Sequence, residues 1–351
     1  MSSPEMISVV VPVYNMGDSL EKCVQSVLTQ EDAAFEVILV DDGSTDDSWE
    51  RCLRLQAQDN RVRAFHTENR GSGPARNHGI EQATGRYVYF PDADDELAPM
   101  ALHRMAEAVR ESGADLLVFG YQVLDDAGQV RRHKTYPAFV RDGESIRQDY
   151  GDYAGLKTKY GIQGAPWNKM FDLEVIREKG VEYPPLRRHQ DEGFIARYMC
   201  HAKRVQFIED TLYTHYQNTY ALEWKKFPVD YADIVRALYA TRQETILAWN
   251  PKDLRTQQVI REELVDNLVK ALELTFSPKH HMTGGERRDF VKKHVEGSGI
   301  CDFEIYGDYS SYKKVLLHLF RRRLYRPALA VMKLKTIADR RGFDKMSKKY
   351  R

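Results

Sequence analysis

Four acidic side chains crowd into five positions of the stretch YVYFPDADDELAP (87–99), namely Asp92, Asp94, Asp95 and Glu96. Carboxylates this close repel one another unless a cation lies among them. Two carboxylates two residues apart in a loop can turn towards one ligand, and hard oxygen ligands suit Mg²⁺ or Mn²⁺ carrying a substrate phosphate. We therefore predict a divalent metal with a diphosphate here. The alternative is that Asp94 and Asp95 cap the next helix.

The elements that position this stretch alternate regularly over the first 121 residues. Short apolar runs predict five strands, at 7–13, 36–40, 61–66, 87–90 and 115–121. One-sided apolar patterns between them predict helices. Strands alternating with helices over short links predict an α/β fold with a mostly parallel sheet covered on both sides. Ligands bind such sheets beyond the carboxyl ends of the strands.

Polar residues follow four of these predicted strands. They are Tyr14-Asn15, Asp41-Asp42-Gly43, the loop TENRGSGPARN (67–77) and the acidic stretch. Asp41 and Asp42 can accept hydrogen bonds from a nucleobase or a ribose, and the loop offers glycines for close backbone approach and Arg76 as a cation for phosphates. The loop is no dinucleotide fingerprint, because GSGPAR lacks the third glycine and follows the third strand. We predict one site built from four strand ends.

The bulk composition is that of an ordinary soluble globular protein, with 42% apolar and 30% charged residues. The four cysteines are scattered, which favours a reducing compartment and argues against a disulfide framework or a zinc site. No apolar run is long enough for a membrane span, and MSSPEMISVVVPVY does not have the pattern of a secretory signal. The sequence therefore predicts a cytoplasmic protein.

The second half of the chain is less regular. A helix near 191–202 is its clearest element up to 227, helical periodicity returns over 229–276, and 277–311 is polar and irregular. A basic helical segment follows at 312–341, which Pro327 is expected to kink or split. Residues 321–351 carry twelve Lys or Arg against two Asp. A basic tail on an acidic body indicates contact with an anionic surface, or simply a solvated helix end.

Six segments together resemble family-2 glycosyltransferases with the GT-A fold. They are SVVVPVYN, VDDGSTDDS, NRGSGPARNHGI, GRYVYFPDADDEL, WNKMF and HQDEGF, in this order and at roughly the family's spacing. The resemblance covers about residues 6–220 and is closest to bacterial enzymes of capsule, exopolysaccharide, teichoic acid and lipopolysaccharide synthesis. It implies a catalytic domain at 1–228, with a nucleotide-sugar-binding half (1–121) and an acceptor-binding half (122–228). A helical C-terminal domain with a basic tail would occupy 229–351.

The resemblance also implies residue roles. Donor binding falls on five residues: Pro12 and Tyr14 in the base pocket, Asp42 on the nucleobase, most often uracil, Arg76 near the base or phosphates, and Asp92 on the ribose or the metal. Asp94 is the implied ligand of Mn²⁺ or Mg²⁺, and Asp191 is the implied catalytic base. The alternative for Asp191 is a helix N-cap, and Glu192 is the rival base.

Four acceptor or phosphate contacts are assigned to Asp95, Lys169, Glu192 and His215. Asp95 could instead cap the following helix, and Trp167 could stack on a sugar ring or belong to the core. The sequence departs from the family at Gln190, where an acidic residue is usual. It departs again at LYTHYQN (212–218), where many relatives have an aromatic run with an arginine. His215 then takes part of that phosphate-binding role, or the loop does not contribute.

These residues predict an inverting, metal-dependent hexosyl- or N-acetylhexosaminyltransferase. It would move a sugar from a nucleotide-diphosphate sugar, on the family pattern a UDP-sugar, to a hydroxyl of a cell-surface glycan or of a lipid-linked or polyol-phosphate acceptor. The alternatives are a nucleotidyltransferase, which usually has a glycine-rich basic loop where this chain reads VYNMGDS, and a nucleotide-sugar-binding scaffold subunit without catalysis. The basic C-terminal region would contact the membrane surface or pack in a homo-oligomer. No nucleic-acid module is found.

Overall fold

The computed structural model describes residues 5–154, 158–217, 227–277, 280–302 and 309–349, with side chains as far as residue 338. The chain divides into two compact units. The first comprises Met1–Ala221 and Thr245–Asn250, and the second comprises Leu222–Glu244 and Pro251–Arg351. Among the described residues, none of the helices combines the length and the apolar composition that crossing a membrane requires.

The first unit contains one large sheet. Its strands are β1 (Ile7–Val13), β2 (Phe35–Asp41), β3 (Val62–His66), β4 (Tyr87–Tyr89), β5 (Glu96–Leu97), β6 (Leu116–Asp125), β7 (Val130–Lys134), β8 (Phe139–Asp142), β9 (Lys169–Asp172) and β10 (Arg204–Gln217). They lie in the order β3-β2-β1-β4-β9-β6-β10-β5, while β7 pairs with β6 and β8 pairs with β10. All seven residues of β1 and of β2 are buried, as expected for strands covered on both faces.

Helices cover this sheet and make up the described part of the second unit. Those of the first unit are α1 (Asp18–Leu28), α2 (Ser48–Gln58), α3 (Ser72–Gln82), α4 (Ala101–Ser112), α5 (Gly143–Gln148), α6 (Leu173–Lys179), α7 (Gln190–Met199) and α9 (Ile246–Trp249). Those of the second are α8 (Tyr231–Glu244), α10 (Leu254–Leu274), α11 (Gly284–Gly297), α12 (Ser311–Arg321) and α13 (Tyr325–Lys349). The predicted helical C-terminal region is therefore confirmed for the described residues.

The five strands predicted over the first 121 residues correspond to β1, β2, β3, β4 and β6, and their predicted parallel arrangement is confirmed. The strands β1, β2, β3 and β4 pair in parallel, and β6 runs in the same direction as β4 because the strand between them is antiparallel to both. That intervening strand, β9, was not predicted. It has only four residues, and its place in the sheet depends on pairing with two strands that are distant in sequence.

Two predictions for the C-terminal part had different outcomes. Pro327 was expected to kink or split the helical segment, and the chain does break between α12 and α13, with Pro327 in the first turn of α13. The irregular structure expected over 277–311 is wrong for α11. Thr283 accepts a hydrogen bond from the Glu286 backbone while the Glu286 side chain bonds back to Thr283, a capping box that the sequence contains as T-x-x-E.

Helix α3 lies very close to strand β1 because the contact is made at a glycine. A Cβ atom at Gly79 would come within 2.2 Å of Cγ1 of Val10. Gly79 is thus needed where helix and strand meet. The close contact fixes the helix that carries Arg76 over the carboxyl end of the sheet.

Candidate active site

A cleft of about 280 Å³ opens at the carboxyl ends of β1, β2 and β4, between the first turns of α3 and α7. Seven of the predicted site residues line it: Pro12, Tyr14, Asp42, Arg76, Asp92, Asp94 and Asp191. The strand-end site predicted from the sequence therefore exists as one cleft. The roles of its members stay predictions at this point.

Arg76 is the cation among the crowded carboxylates. Its Nη2 donates to Oδ1 of Asp92 at 2.7 Å, and its Nη1 donates to Oδ1 of Asp191 at 2.8 Å. The Arg76 side chain is only 3% exposed, and its guanidinium lies over the ring of Tyr183. Burial alone would lower the pKa of Arg76, but the charges of Asp191 and Asp92 raise it, so the group stays charged. This Arg76 bridge joins the acidic stretch at Asp92 to helix α7 at Asp191.

Both carboxylates on this bridge have raised pKa values. Burial raises the pKa of Asp92 to about 7, with Arg76 opposing the shift and Asp95 adding to it. Burial also raises the pKa of Asp191, again against the effect of Arg76. A carboxylate with a raised pKa is a better proton acceptor than one on an open surface. Asp191 lies in the first turn of α7, whose N-cap residue is His189, so the N-cap alternative for Asp191 is wrong.

Asp94 differs from Asp92 in being exposed, and among the described residues only its own backbone N–H donates a hydrogen bond to its carboxylate. The described residues contain no group of three or more His, Cys, Asp or Glu that could form a complete metal cage. One open carboxylate, with a second on Asp92 beside it, fits a cation that takes its remaining ligands from a substrate diphosphate. The residues present therefore fit Mn²⁺ or Mg²⁺ held in that way.

Asp42 organises the loop that leads into α3. One of its carboxylate oxygens accepts from the backbone N–H of Arg70 at 2.9 Å, and the other accepts from that of Gly71 at 2.7 Å. The neighbouring Asp41 is fully buried and bonds to Nδ1 of His66 and to the backbone N–H of Ser44. Asp42 therefore has a structural function at the cleft, and its predicted contact with a nucleobase stays a prediction.

Asp95 is fully buried beside strand β10, and this corrects two expectations. Its carboxylate accepts hydrogen bonds from the Tyr213 hydroxyl, from Nδ1 of His215 and from the backbone N–H of Tyr216. The capping alternative is wrong for both Asp94 and Asp95, because the N-cap of α4 is Met100 and no side chain caps it. A direct contact of Asp95 with an acceptor does not fit its complete burial.

His215 and Trp167 form a stack over this carboxylate. The indole of Trp167 stacks on the Tyr213 ring at 4.8 Å and on the His215 ring at 5.6 Å. Burial alone would lower the pKa of His215, but its hydrogen bond to Asp95 and the charge of that carboxylate raise it. His215 therefore keeps its second ring proton to a higher pH than an ordinary histidine does.

Lys169 and Glu192 lie outside the lining of the cleft. Lys169 is buried, and its Nζ donates to the carbonyl of Ala165 and to Oδ1 of Asn168, while burial lowers its pKa to about 7. Glu192 pairs with Nδ1 of His189 at 2.9 Å. Because Asp191 lines the cleft and Glu192 does not, the geometry favours Asp191 over its rival as the base.

Sequence reasoning missed the residues that dock α7 against α3. Nε2 of Gln190 donates to Oγ of Ser72 at 2.7 Å, and Gly73 leaves room for the Gln190 side chain. The Tyr183 ring stacks on Phe194 at 4.1 Å beneath Arg76. No local pattern marks these contacts, although the departure from the family at Gln190 pointed to the right position.

Sequence comparisons give the class of protein. The model of the family Glycosyl transferase family 2 matches residues 8–171. Glycosyltransferase GlyG of Streptococcus pneumoniae is 34% identical over 248 residues, which are 70% of this chain and 82% of GlyG. The chain therefore belongs to glycosyl transferase family 2.

Other relatives match over a smaller part of their length. YibD of Escherichia coli, an uncharacterized glycosyltransferase, is 30% identical, and the match covers 62% of each chain. The GalNAc(5)-diNAcBac-PP-undecaprenol beta-1,3-glucosyltransferase of Campylobacter jejuni is 30% identical over 47% of this chain and 55% of its own. The chain thus spans little more than half the length of these two relatives.

Solved structures show the same fold at low sequence identity. TarS 1-349 of S. aureus in complex with UDP-GlcNAc is similar with a TM-score of 0.63 and 18% identity, over 96% of this chain and 92% of that one. The mannosyltransferase PcManGT of Pyrobaculum calidifontis, in complex with GDP-Man and Mn²⁺, gives a TM-score of 0.53 and 14% identity over 96% and 88%. The predicted GT-A fold is confirmed.

Proposed function

We propose that this chain is an inverting, metal-dependent glycosyltransferase that moves a sugar from a UDP-sugar to an acceptor hydroxyl. The observation that carries the proposal is the Arg76 bridge, which holds Asp92 and Asp191 in one cleft with the open carboxylate of Asp94. The family gives the class of reaction. A donor of the nucleotide-sugar kind is supported by the complexes of TarS with UDP-GlcNAc and of PcManGT with GDP-Man.

Asp191 is the proposed general base. Its side chain is 27% exposed in the cleft, so an acceptor can reach it, and its raised pKa suits proton removal from a hydroxyl. A positioned carboxylate that takes the proton as the new bond forms is worth roughly 10²–10⁴ in rate. Arg76 holds Oδ1 of Asp191 and leaves Oδ2 for the acceptor.

The distribution of carboxylates in the cleft supports a single displacement. In the described lining of the cleft, Asp42 is bound by backbone N–H groups, and Asp92 and Asp94 are the proposed metal ligands. No carboxylate is left to act as a covalent nucleophile. The acceptor oxygen therefore bonds to the anomeric carbon as the bond to the diphosphate breaks, the proton passes to Asp191, and the configuration inverts.

Asp94, with the second oxygen of Asp92, is proposed to hold Mn²⁺ or Mg²⁺. When bound, the ion supplies charge stabilisation for the departing nucleoside diphosphate. A dedicated cage of protein ligands is not needed for this, because Mg²⁺ in such sites is bound by one or two carboxylates and by substrate phosphates. The Mn²⁺ complex of PcManGT supports the proposal.

The acceptor is proposed to belong to the cell surface, as a glycan, a lipid-linked saccharide or a polyol phosphate. The name of the Campylobacter jejuni relative describes an undecaprenol-linked acceptor. We further propose that the chain acts in the cytoplasm at the surface of the membrane. Around the break between α12 and α13, four exposed arginines, Arg321, Arg322, Arg323 and Arg326, flank Leu324 in the sequence, and Leu324 is 42% exposed. This combination fits anionic lipid headgroups with one apolar side chain at their boundary.

The test is nucleoside diphosphate release from a panel of nucleotide sugars with Mn²⁺ or Mg²⁺. Wild type should cleave one donor, D94A should abolish cleavage, and E31Q, an exposed acid outside the cleft, should behave like wild type. Release of pyrophosphate would indicate the nucleotidyltransferase alternative, which the family does not favour. Binding of a donor without cleavage would indicate the scaffold alternative, and absence of both binding and cleavage of every donor would contradict the proposed function.

A further inference from the structure

A second cavity, of about 310 Å³, lies in the first unit and shares no lining residue with the cleft described above. Two residues of its wall nevertheless interact with Asp191 or with the residue after it. Gln163 lines the cavity and donates from Nε2 to the backbone carbonyl of Glu192, the residue after Asp191. Lys169 lines the cavity as well, and its charge acts on Asp191. The wall of this cavity is therefore hydrogen-bonded to the turn of α7 that contains the proposed base.

The floor of the cavity is one row of side chains across three strands. Arg132 on β7 pairs with Val123 on β6, and Val123 pairs with His215 on β10. Side chains in register on neighbouring strands point to the same face of a sheet. Because adjacent strands lie about 4.8 Å apart, Arg132 and His215 start roughly 10 Å apart, with only Val123 between them. A long arginine side chain and an imidazole can both reach a group lying over Val123.

The lining is positively charged. Four of its described residues carry basic side chains, and none is acidic: the four are Arg131, Arg132, Lys169 and His215. Arg131 is paired with Asp125, and the Nζ of Lys169 is bound by two oxygens. In contrast, no carboxylate in the described part of the chain pairs with Arg132, which is exposed at the mouth.

His215 lies at the end of this row, and Asp95 occupies only one of its two ring nitrogens. Its Nδ1 is held by the buried carboxylate of Asp95, so Nε2 is the nitrogen left for a ligand in the cavity. The raised pKa of His215 favours a proton on that nitrogen. Trp167, which stacks on His215 and meets Tyr121 edge-on at 4.6 Å, adds an aromatic wall for the carbon skeleton of the ligand.

We propose that this cavity binds a phosphate group of the acceptor between Arg132 and His215, so that the acceptor is a phosphate ester. The inference rests on the proposed function and narrows its acceptor class. Arginine and a protonated imidazole both donate charge-assisted hydrogen bonds to phosphate oxygens. The phosphate can belong to a polyol phosphate or to an isoprenyl phosphate, since both present the same group to this pair of cations.

The experiment measures dissociation constants by calorimetry for two pairs of probes, each a phosphate and its neutral parent. The pairs are glycerol 3-phosphate with glycerol, and geranyl phosphate with geraniol. Wild type, R132Q, R132E and the control R110Q are compared, with and without saturating UDP and Mn²⁺. Arg110 is an exposed arginine of α4 that does not line the cavity. The dissociation constant of UDP is measured for each protein.

We expect wild type to bind at least one phosphate about tenfold or more tightly than its neutral parent, because only the phosphate accepts charge-assisted hydrogen bonds from these two cations. R132Q should weaken the binding of that phosphate about tenfold, and R132E should weaken it further. R110Q should leave the binding unchanged. If only one pair shows this effect, that pair identifies the acceptor as a polyol phosphate or an isoprenyl phosphate. If both pairs show it, the site recognises the phosphate group itself.

Three results would overturn the inference: no preference for phosphate over the neutral parent, equal behaviour of R132Q and R110Q, or an equal loss of UDP binding in R132Q. Failure of the proposed function is a separate result. It would appear as no UDP binding by wild type, while the phosphate measurements without UDP would still decide the role of this cavity.

Discussion

At the scale of single residues, the cleft depends on a buried arginine. The sequence predicted a metal among the carboxylates of the acidic loop, and the structure adds Arg76, which binds Asp92 and Asp191 at once. The pairing could not be predicted, because Asp191 lies 115 residues from Arg76 in the sequence. An arginine rather than a lysine suits the position, since its planar guanidinium donates to two carboxylates in fixed directions.

Asp191→Asn should abolish proton removal without preventing donor binding. We expect the transfer rate to fall by roughly 10²–10⁴, because the amide cannot accept the acceptor's proton. The dissociation constant of the donor should stay within about twofold of that of wild type, since Asn keeps the hydrogen-bond geometry towards Arg76. E192Q is the matched variant at the rival base. A larger loss of transfer in E192Q than in D191N would contradict the assignment.

The acid limb of the pH–rate profile should report the raised pKa of Asp191. The base must be ionised, so kcat/KM falls as the pH is lowered through this pKa, and the acid limb lies above the ordinary aspartate value of 3.8. Arg76 opposes the raised pKa, so Arg76→Gln should move the limb to higher pH. A limb that does not move in R76Q would contradict the electrostatic coupling.

Arg76→Gln should also destabilise the fold. Removing one partner of a buried ion pair costs about 3–5 kcal/mol, and we expect the lower end because Asp92 and Asp191 are 33% and 27% exposed. Denaturant unfolding followed by circular dichroism measures this free energy. R76K should lie between R76Q and wild type, since it keeps the charge and loses the second hydrogen bond. Equal stability of R76Q and wild type would show that the bridge is dispensable.

At the scale of elements, the geometry of the cleft depends on how closely α3 approaches β1. Gly79→Ala would bring a Cβ within 2.2 Å of Val10. Overpacking of this kind costs about 1–3 kcal/mol, and the shift of α3 should also displace Arg76 and lower activity. Gly285→Ala is the control, because its Cβ would have a contact no closer than 4.0 Å. Thermal unfolding and donor cleavage measure the two effects, and equal behaviour of the two variants would contradict the role of Gly79.

The elements show what a sequence can predict and where it fails. The buried strands β1 and β2 were predictable, because each contains a short continuous apolar run, VVVPV (9–13) in β1 and VILV (37–40) in β2, as strands covered on both faces do. The cleft residues at strand ends followed from the topology. Strand β9 could not be predicted from KMFD alone, since it is a strand only because β4 and β6 pair with it. The links from Asp95 to Tyr213 and His215 likewise form only when β5 and β10 pair.

At the scale of the whole molecule, charge is divided between an acidic body and a basic C-terminal segment. This asymmetry was visible in the sequence, because twelve Lys or Arg fall in the last 31 residues. The structure shows that Arg321, Arg322, Arg323 and Arg326 are exposed together at the break between α12 and α13. These four arginines lie close together because the break places the end of α12 beside the start of α13.

Vesicle sedimentation tests the proposed membrane contact. Wild type should bind vesicles containing phosphatidylglycerol and not pure phosphatidylcholine, because each basic residue near an anionic surface contributes about 1 kcal/mol. R322E/R323E should reduce binding by about tenfold or more. The matched control K252E/K292E changes the charge equally at exposed lysines of the same unit. Equal binding by the two double variants, or a change in oligomeric state in place of vesicle binding, would contradict the membrane contact.

The configuration of the first sugar released tests the central claim most directly. With water as the acceptor and an α-linked UDP-sugar as the donor, proton NMR at early times follows the anomeric signal before mutarotation mixes the two forms. A single displacement assisted by Asp191 predicts UDP release together with the β-anomer, and no signal from D191N. First-formed α-anomer would contradict inversion, and cleavage by D191N at the wild-type rate would contradict the role of Asp191.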